Sequence, residues 1–268
     1  MSQRDCYYQQ PSRCDSMQVV KIGGSLVSRI FNDNNIIKNF DLNGIIVHGG
    51  GNYINEFSKR FGIEQRFVVS PQGIKSRYTD KETLEFFIMV MSYINYRLCY
   101  ILENHGIKTV SISGINNKMA YGIRKDKLVI INDRNRKMII DGGYTGKINN
   151  INSEFLKYII DAGYTPVISP IAFSEESPLN VDADKMAANI AAAMHAEKLI
   201  IYTNVDGIYI NEEKIQRIDI NSLKSMKIGN GMIQKVMAAE IAISAGVKRV
   251  FIGNPEDINH GTVVLNEL

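Results

Sequence analysis

Cysteine is scarce here: three in 268 residues, at positions 6, 14 and 99. None stands in a CxxC pair. Neither a disulfide framework nor a zinc site is indicated, and a reducing cytoplasm is the expected compartment. The four histidines show no metal-ligand spacing either, so no protein metal site is expected. His195, among alanines near a helix end, reads as a packing or capping residue. No apolar run approaches the roughly 20 residues needed to span a bilayer. The opening "MSQRDCYYQQPSRCDS" lacks the apolar core of a secretory signal, and residues 1–16 read as a disordered extension. No Pro/Gly/Ser-rich linker, repeat or low-complexity tract divides the chain. Neither a membrane nor a nucleic acid is an expected partner.

What is present is ordinary in bulk and informative in order. Hydrophobic residues make up 45% and charged residues 22%, the balance of a globular protein with a real core. Short β-branched runs alternate with amphipathic ones. "MQVVKI" (17–22) and "GIIVH" (44–48) read as buried strands, each ended by glycines. "DKETLEFFIMVMSYINYRLCYILENHG" (80–106) reads as a long helix capped by Thr79 or Asp80 and stopped by Gly106. Strand 108–113, a hairpin of "KLVIIND" and "RKMIIDGG", helix 152–163 and strand 164–170 follow. Helix 183–196, strand "KLIIYT", helix 231–246 and strand "KRVFIG" complete the pattern. Such alternation implies an α/β fold with a mainly parallel sheet covered on both faces. A seam is expected near residue 170, where "SPIAFSEESPLNVDAD" opens a second set of units.

Ligands of parallel sheets bind at the carboxyl ends of strands. Two glycine turns fall there, "KIGGS" and "HGGGN". Neither matches GxGxxG or GxxxxGK[ST], so the dinucleotide and P-loop fingerprints fail. A single glycine run is most often a structural turn. Two, at successive strand ends, place backbone amides where they can converge on one anion. Lys21 ends an otherwise apolar strand; an unpaired ammonium there is costly unless an anion meets it. "PLNVDADKMA" sets Asn180, Asp182 and Asp184 at alternate positions entering a helix, more than capping needs. "GNGMIQKVMAAE" puts Lys235 in the first turn of another helix, where a cation opposes the helix dipole and a phosphate would explain it.

Lys21, Asp184 and Lys235, with two glycine turns, resemble the amino acid kinase superfamily from about Met17 to the C-terminus. The resemblance implies an open αβα sandwich. An N-terminal lobe, residues 17–170, would bind the acceptor, and a C-terminal lobe, 171–268, would bind ATP. It implies catalytic roles for Lys21 on the transferring phosphoryl, Lys235 on the leaving phosphates and Asp184 between them. The amides of Gly23, Gly24, Gly49 and Gly50 would complete the cage. Gly23, Gly24, Thr203, Asp206, Gly207 and Gly231 would contact ATP, "IYTNVDGIYI" being similar to the family's nucleotide segment. Asn204 stands where that family commonly has aspartate. Mg²⁺ would be held mainly through the nucleotide phosphates.

For the acceptor, "SRYTDKET" is similar to a segment of acetylglutamate kinases whose arginine grips the α-carboxylate. Arg77 holds that place, a residue suited to bidentate carboxylate recognition. Gly49, Gly50, Asn180 and Asp182 would complete the acceptor side. A carboxylate acceptor, ionised above about pH 4.3, needs no general base. Within the subgroup, "SRYTDKETLE", "DGGYTGKI" and "PLNVDAD" look most like kinases of an amino-group carrier protein. These phosphorylate the side-chain carboxylate of α-aminoadipate or glutamate attached to an acidic LysW-type carrier, in lysine or arginine biosynthesis. Residues 118–137 hold seven basic residues against two acids, a balance of +5 in a chain of net +3. The plain reading is a solvated hairpin; the carrier resemblance makes it a docking patch. Lys75, Arg124, Lys125, Lys127, Arg134, Arg136 and Lys137 are the candidates, with Lys147 beside them. Free N-acetylglutamate is the alternative acceptor. An inactive sensor or partner subunit is the non-enzymatic alternative, opposed by the presence of all three charged residues. A homodimer through the long helix is expected by resemblance.

Overall fold

A computed structural model describes residues 17–226, 229–257 and 260–267. The disordered extension expected for 1–16 lies outside the described residues. The first half runs β1 (Gln18–Ile22), α1 (Gly24–Asn32), β2 (Ile45–His48), α2 (Gly51–Phe61), β3 (Phe67–Val69), β4 (Lys75–Arg77), α3 (Lys81–Asn104) and β5 (Thr109–Gly114). It continues through β6 (Ala120–Arg124), β7 (Lys127–Ile131), β8 (Lys137–Asp141), β9 (Gly146–Ile151), α4 (Ser153–Asp161) and β10 (Thr165–Ala172). Then come β11 (Leu179–Asn180), α5 (Ala183–Ala193), β12 (Lys198–Tyr202), β13 (Ile208–Ile210), β14 (Glu213–Ile215) and β15 (Arg217–Asp219). The chain closes with α6 (Ile220–Ser225), α7 (Asn230–Ser244), β16 (Arg249–Gly253) and β17 (Thr262–Leu265).

The main sheet has the order β11-β10-β2-β1-β12-β16-β17-β15, with β5 also on β10. It is mainly parallel; β11 and β17 run against β10 and β16. The alternation of strand side chains sorts the core into two layers. Val19, Ile45 and Val47 pack with α4, α5 and α7. Val20, Ile22 and Ile46 pack with α1, α2 and α3 on the opposite face. The expected αβα sandwich is the observed one. β1 lies between β2 and β12, and the seam expected at 170/171 falls inside β10. Small antiparallel sheets, β4-β3-β7-β8 and β6-β9, stand off the main one.

Local chemistry explains several boundaries. Asp80 caps α3, its carboxylate accepting from Thr83 N at 2.8 Å. Asp182 caps α5 through Lys185 N, and Asn152 caps α4 through Phe155 N. Gly106 follows α3 at φ +81°, the left-handed exit that glycine supplies without strain. No helix among the described residues is long and apolar enough to cross a membrane.

Candidate functional site

The strand alternation that sends Val20 and Ile22 toward α1 turns Lys21 to the α5 face. There its ammonium meets Asp184 Oδ1 at 2.6 Å. Lys235, from the first turns of α7, reaches Asp184 Oδ2 at 3.9 Å. Lys21 is 7% exposed and Asp184 4%. Burial by itself would raise the Asp184 carboxyl, but Lys21 and then Lys235 outweigh it and hold it below the ordinary carboxylate range. Lys235 is pushed down by burial; Asp184 opposes this and Lys21 adds to it. One carboxylate therefore serves two ammonium groups, and the array keeps an excess positive charge for an incoming anion. Each Asp184 oxygen faces an ammonium group, Oδ1 that of Lys21 and Oδ2 that of Lys235, which disfavours a metal ion beside it. Among the described residues no group of three His, Cys, Asp or Glu side chains is placed to hold one.

The two glycine turns pack against each other at the ends of β1 and β2. A side chain on Gly24 would meet Gly51 N at 2.9 Å and Gly50 N at 3.1 Å; one on Gly49 would meet Gly24 N at 3.1 Å. This close approach excludes a Cβ at Gly24 and Gly49; one on Gly50 would instead strike Ile94 and Met91 of α3, while Gly51 is open. The amide cage is smaller than the four groups expected. Gly23 N donates to Tyr202 O and Gly49 N to Ile22 O. Both amides are drawn into the ends of the parallel ladder, which satisfies them before any ligand arrives. Gly24 N and Gly50 N have no partner among the described residues, and both open helix N-termini. His48 is fully buried beneath this turn, its Nδ1 3.2 Å from Gly49 O. A carbonyl partner makes Nδ1 the donor, so Nε2 is left as a buried acceptor, unpartnered among the described residues. Burial pulls its pKa down to about 4, against a smaller raising effect from that hydrogen bond.

Asp182 lies beside the charged array. Burial and then the Asp184 carboxylate push it above the ordinary carboxylate range, while Lys185 N, Lys21 and Lys185 pull it back. Asn180 is tied to the start of α3 and the β8–β9 connection: its amide donates to Thr79 Oγ1 at 2.9 Å, and its N–H to Tyr144 O. Tyr144 N in turn donates to Thr79 O. Thr79 thus clasps the "GGYTG" hairpin and β11 to the start of α3. Nothing in the local sequence marks it for that role. Arg77, on β4, donates to Gln65 Oε1 and to Asn55 Oδ1, the latter at 2.6 Å. Its guanidinium lies 4.9 Å from the centre of the Phe67 ring. Arg77 touches neither Lys21 nor Asp184.

On the other flank, Thr203 ends β12 with its N–H on Gly253 O. Asp206 is engaged by Lys214 at 2.9 Å and by the Tyr209 hydroxyl, partners the sequence reading missed. Gly207 packs under Thr262, where a Cβ would sit 2.9 Å from the hydroxyl. Gly231 stands open in the first turn of α7. A cavity of about 1080 Å³ opens at the amino ends of the strands, lined in part by Gln18, Asp41, Gly44, Lys108 and Thr165; none of the expected site residues borders it.

The basic residues divide. Arg124 donates to Asp141 Oδ1 at 2.9 Å and to Gly143 O, bracing the hairpin base. Lys125 is exposed at the surface, yet partial desolvation and then the charge of Lys185 lower its pKa, while Asp182 opposes the shift. Lys75 lies over Phe67 at 4.8 Å. Lys127, Arg134, Arg136 and Lys137 are exposed on the β7–β8 hairpin.

Similarity to known proteins runs the length of this architecture. The model of the amino acid kinase family matches residues 16–254. LysW-aminoadipate/LysW-glutamate kinase of Metallosphaera sedula is 40% identical over 253 residues, 91% of this chain and 96% of that protein. The enzyme of that name from Saccharolobus solfataricus is 39% identical over 265 residues, 93% of this chain and 100% of that protein. The solved structure of smu.665 from Streptococcus mutans superposes with a TM-score of 0.73 at 23% identity, covering 94% of this chain and 99% of that one. A continuous family match and relatives near 40% identity over nine-tenths of the length leave one conclusion: this chain is a member of the amino acid kinase family.

Proposed function

We propose that the protein transfers the γ-phosphoryl group of ATP to the side-chain carboxylate of α-aminoadipate or glutamate, with the acceptor's amino group attached to an acidic LysW-type carrier. The observation that carries this reading is the array of buried Lys21 and Asp184 with partly buried Lys235 beside two packed glycine turns, in a chain about 40% identical to kinases named for that substrate. In this reading the N-terminal half holds the acceptor and the C-terminal half holds the nucleotide.

Phosphoryl transfer asks the protein mainly for alignment and charge neutralisation. An acceptor carboxylate oxygen attacks the γ-phosphorus while the bond to the β-phosphate oxygen breaks, giving an acyl phosphate and ADP. Lys21 and the amides of Gly24 and Gly50 bear on the equatorial oxygens of the moving group. Lys235 takes up the charge that grows on the leaving phosphates. Asp184 keeps the two ammonium groups from repelling each other out of line. No proton has to be removed, because the acceptor is already ionised at neutral pH. Mg²⁺, if it enters with the nucleotide phosphates, would supply further neutralising charge. Thr203, Asp206, Gly207 and Gly231 are assigned to the nucleotide side; Arg77, Asn180 and Asp182 to the acceptor side.

The exposed hairpin cations and Lys75 are assigned to steering the acidic carrier. Met89, Tyr93, Tyr96 and Tyr100 form an exposed stripe along α3, spaced as one helix face, and support a homodimer through that helix. The reaction is assigned to the cytoplasm, where ATP is supplied. The test is a phosphoryl-transfer assay with carrier-linked aminoadipate, carrier-linked glutamate and free N-acetylglutamate side by side. Transfer to a carrier-linked acceptor is the expected result; transfer to free N-acetylglutamate alone would refute carrier dependence.

A further inference from the structure

Arg77 is treated unlike the paired arginines of this chain. Arg29 pairs with Glu256, Arg124 with Asp141 and Arg249 with Glu197. The Arg77 guanidinium has no carboxylate partner among the described residues. Instead Nη1 donates to Gln65 Oε1 and Nη2 to Asn55 Oδ1. Both partners are carboxamides. They fix the plane of the fork without neutralising it, and Phe67, paired with Arg77 across the β3–β4 ladder, supplies a platform beneath. Burial lowers the Arg77 pKa to about 10, still charged at neutral pH. A guanidinium has five N–H groups, and two of them meet a partner among the described residues.

Gln65 adds an independent sign of a missing ligand. Its oxygen faces Arg77, and its Nε2 is buried with no partner among the described residues. An orphaned buried donor ordinarily costs about 1–3 kcal/mol. Beside an uncompensated cation, it is a second donor held ready for an anion. Asn55 adds the spatial link. It lies one turn along α2 from Gly51, about 6 Å at 1.5 Å per residue, in the helix that begins at the glycine turn. Its carboxamide therefore ties the Arg77 fork to the same rigid element that carries the Gly50 amide.

We propose that Asn55 and Gln65 are positioning residues of the acceptor site: the two carboxamides lock the Arg77 fork at a fixed offset from the glycine turns and, being uncharged, leave its full charge to a second carboxylate on the acceptor. The inference rests on the reading above, in which the acceptor carries one carboxylate to be phosphorylated and another to be held.

Asn55→Asp and Gln65→Glu test it, because each puts a carboxylate on the guanidinium with almost no change of shape. Each variant is expected to raise the acceptor KM about tenfold, the value of one charge-assisted hydrogen bond. The kcat and the KM for ATP stay within about twofold, and the unfolding midpoint is not lowered, since an ion pair has been added. Calorimetric titration with carrier-linked aminoadipate, without nucleotide, supplies a readout independent of turnover. If the acceptor KM and Kd of both variants equal those of the parent, the proposal is overturned. If ATP and acceptor constants worsen together with a lower midpoint, the amides serve only the fold, and it is also overturned. Tighter acceptor binding by the parent than by the variants, with no turnover in any of them, upholds the anion site and refutes the kinase reading.

Discussion

Replacing Asp184 by asparagine removes one charge and almost no volume, and its cost follows from the geometry. At an effective dielectric of about 20, the 2.6 Å contact with Lys21 carries about 6 kcal/mol of Coulomb attraction and the 3.9 Å contact with Lys235 about 4 kcal/mol. Desolvation offsets much of that sum in the parent. In Asp184→Asn the attraction is gone while the buried Lys21 and the partly buried Lys235 ammonium groups remain, now repelling each other. Breaking a buried pair in this way costs about 3–5 kcal/mol. In a chain of this size that is about 10 °C in Tm. The carboxamide also turns an N–H₂ toward one of the lysines, a donor facing a donor. Turnover should fall by about 10²–10³, the scale for losing one preorganised group around a developing anion. The chain has no tryptophan, so far-UV circular dichroism in urea is the suitable stability assay. Because Asp184 is held below the usual carboxylate range, its contribution is present above its unfolded pKa of about 3.9 and fades as pH falls through the lower folded value. The gap between parent and variant should be flat at neutral pH and close in acid. Removing both charges, Lys21→Met with Asp184→Leu, should recover at least 1–2 kcal/mol relative to Asp184→Asn. An Asp184→Asn protein within 1 kcal/mol of the parent, with turnover within threefold, would refute the reasoning.

His48 gives a second pH signature. Its folded pKa of about 4 lies below the ordinary 6.5, so the unfolded chain binds the proton first and stability is lost as pH falls from 6.5 toward 4. The loss approaches about 3 kcal/mol; His48→Asn should flatten that part of the profile, and an unchanged slope would count against it. Gly24→Ala drives a methyl onto the amides of Gly50 and Gly51; turnover should fall about a hundredfold with a stability cost of about 1–3 kcal/mol, and near-parental turnover would mean the turns need not touch. Changing Arg134, Arg136 and Lys137 together to serine should raise the KM for carrier-linked acceptor about fivefold at low salt and leave the KM for ATP unchanged. An equal effect at high salt would show that the hairpin does not act by charge.

Much of the architecture could be read from residue order, and the exceptions have physical causes. β-branched runs ended by glycine located β1 and β2, and the Asp80 cap and Gly106 bounded α3 within a residue or two. Lys21 was legible because a charge in an apolar strand demands a partner, although that partner lies 163 positions away. The short strands β3, β4, β13 and β14 have only three residues each, too few for any alternation to register. The antiparallel run of β17 depends on which edge of β16 is free, a property of the assembled sheet. The amides of Gly23 and Gly49 looked available because their acceptors, Tyr202 O and Ile22 O, are set by strand register. Thr79, Asn55 and Gln65 carry no local signal for the same reason: single polar residues in helices and loops are common, and only tertiary contact distinguishes these.

The back-to-back packing of the glycine turns bears on how such a protein diversifies. A methyl group on Gly24 or on Gly49 has no room against the facing turn. On the proposed reading, a substitution that refits one turn to a new acceptor also displaces the other, and with it the phosphoryl group that both would hold. The centre of the sheet is thereby frozen for any lineage that keeps the reaction. On the proposed reading, new acceptors are accommodated at the periphery, in the β3–β4 and β7–β8 ribbons, which carry Arg77 and the hairpin cations but none of Lys21, Asp184 and Lys235. An engineer seeking a new specificity in this scaffold would do best to begin on those ribbons.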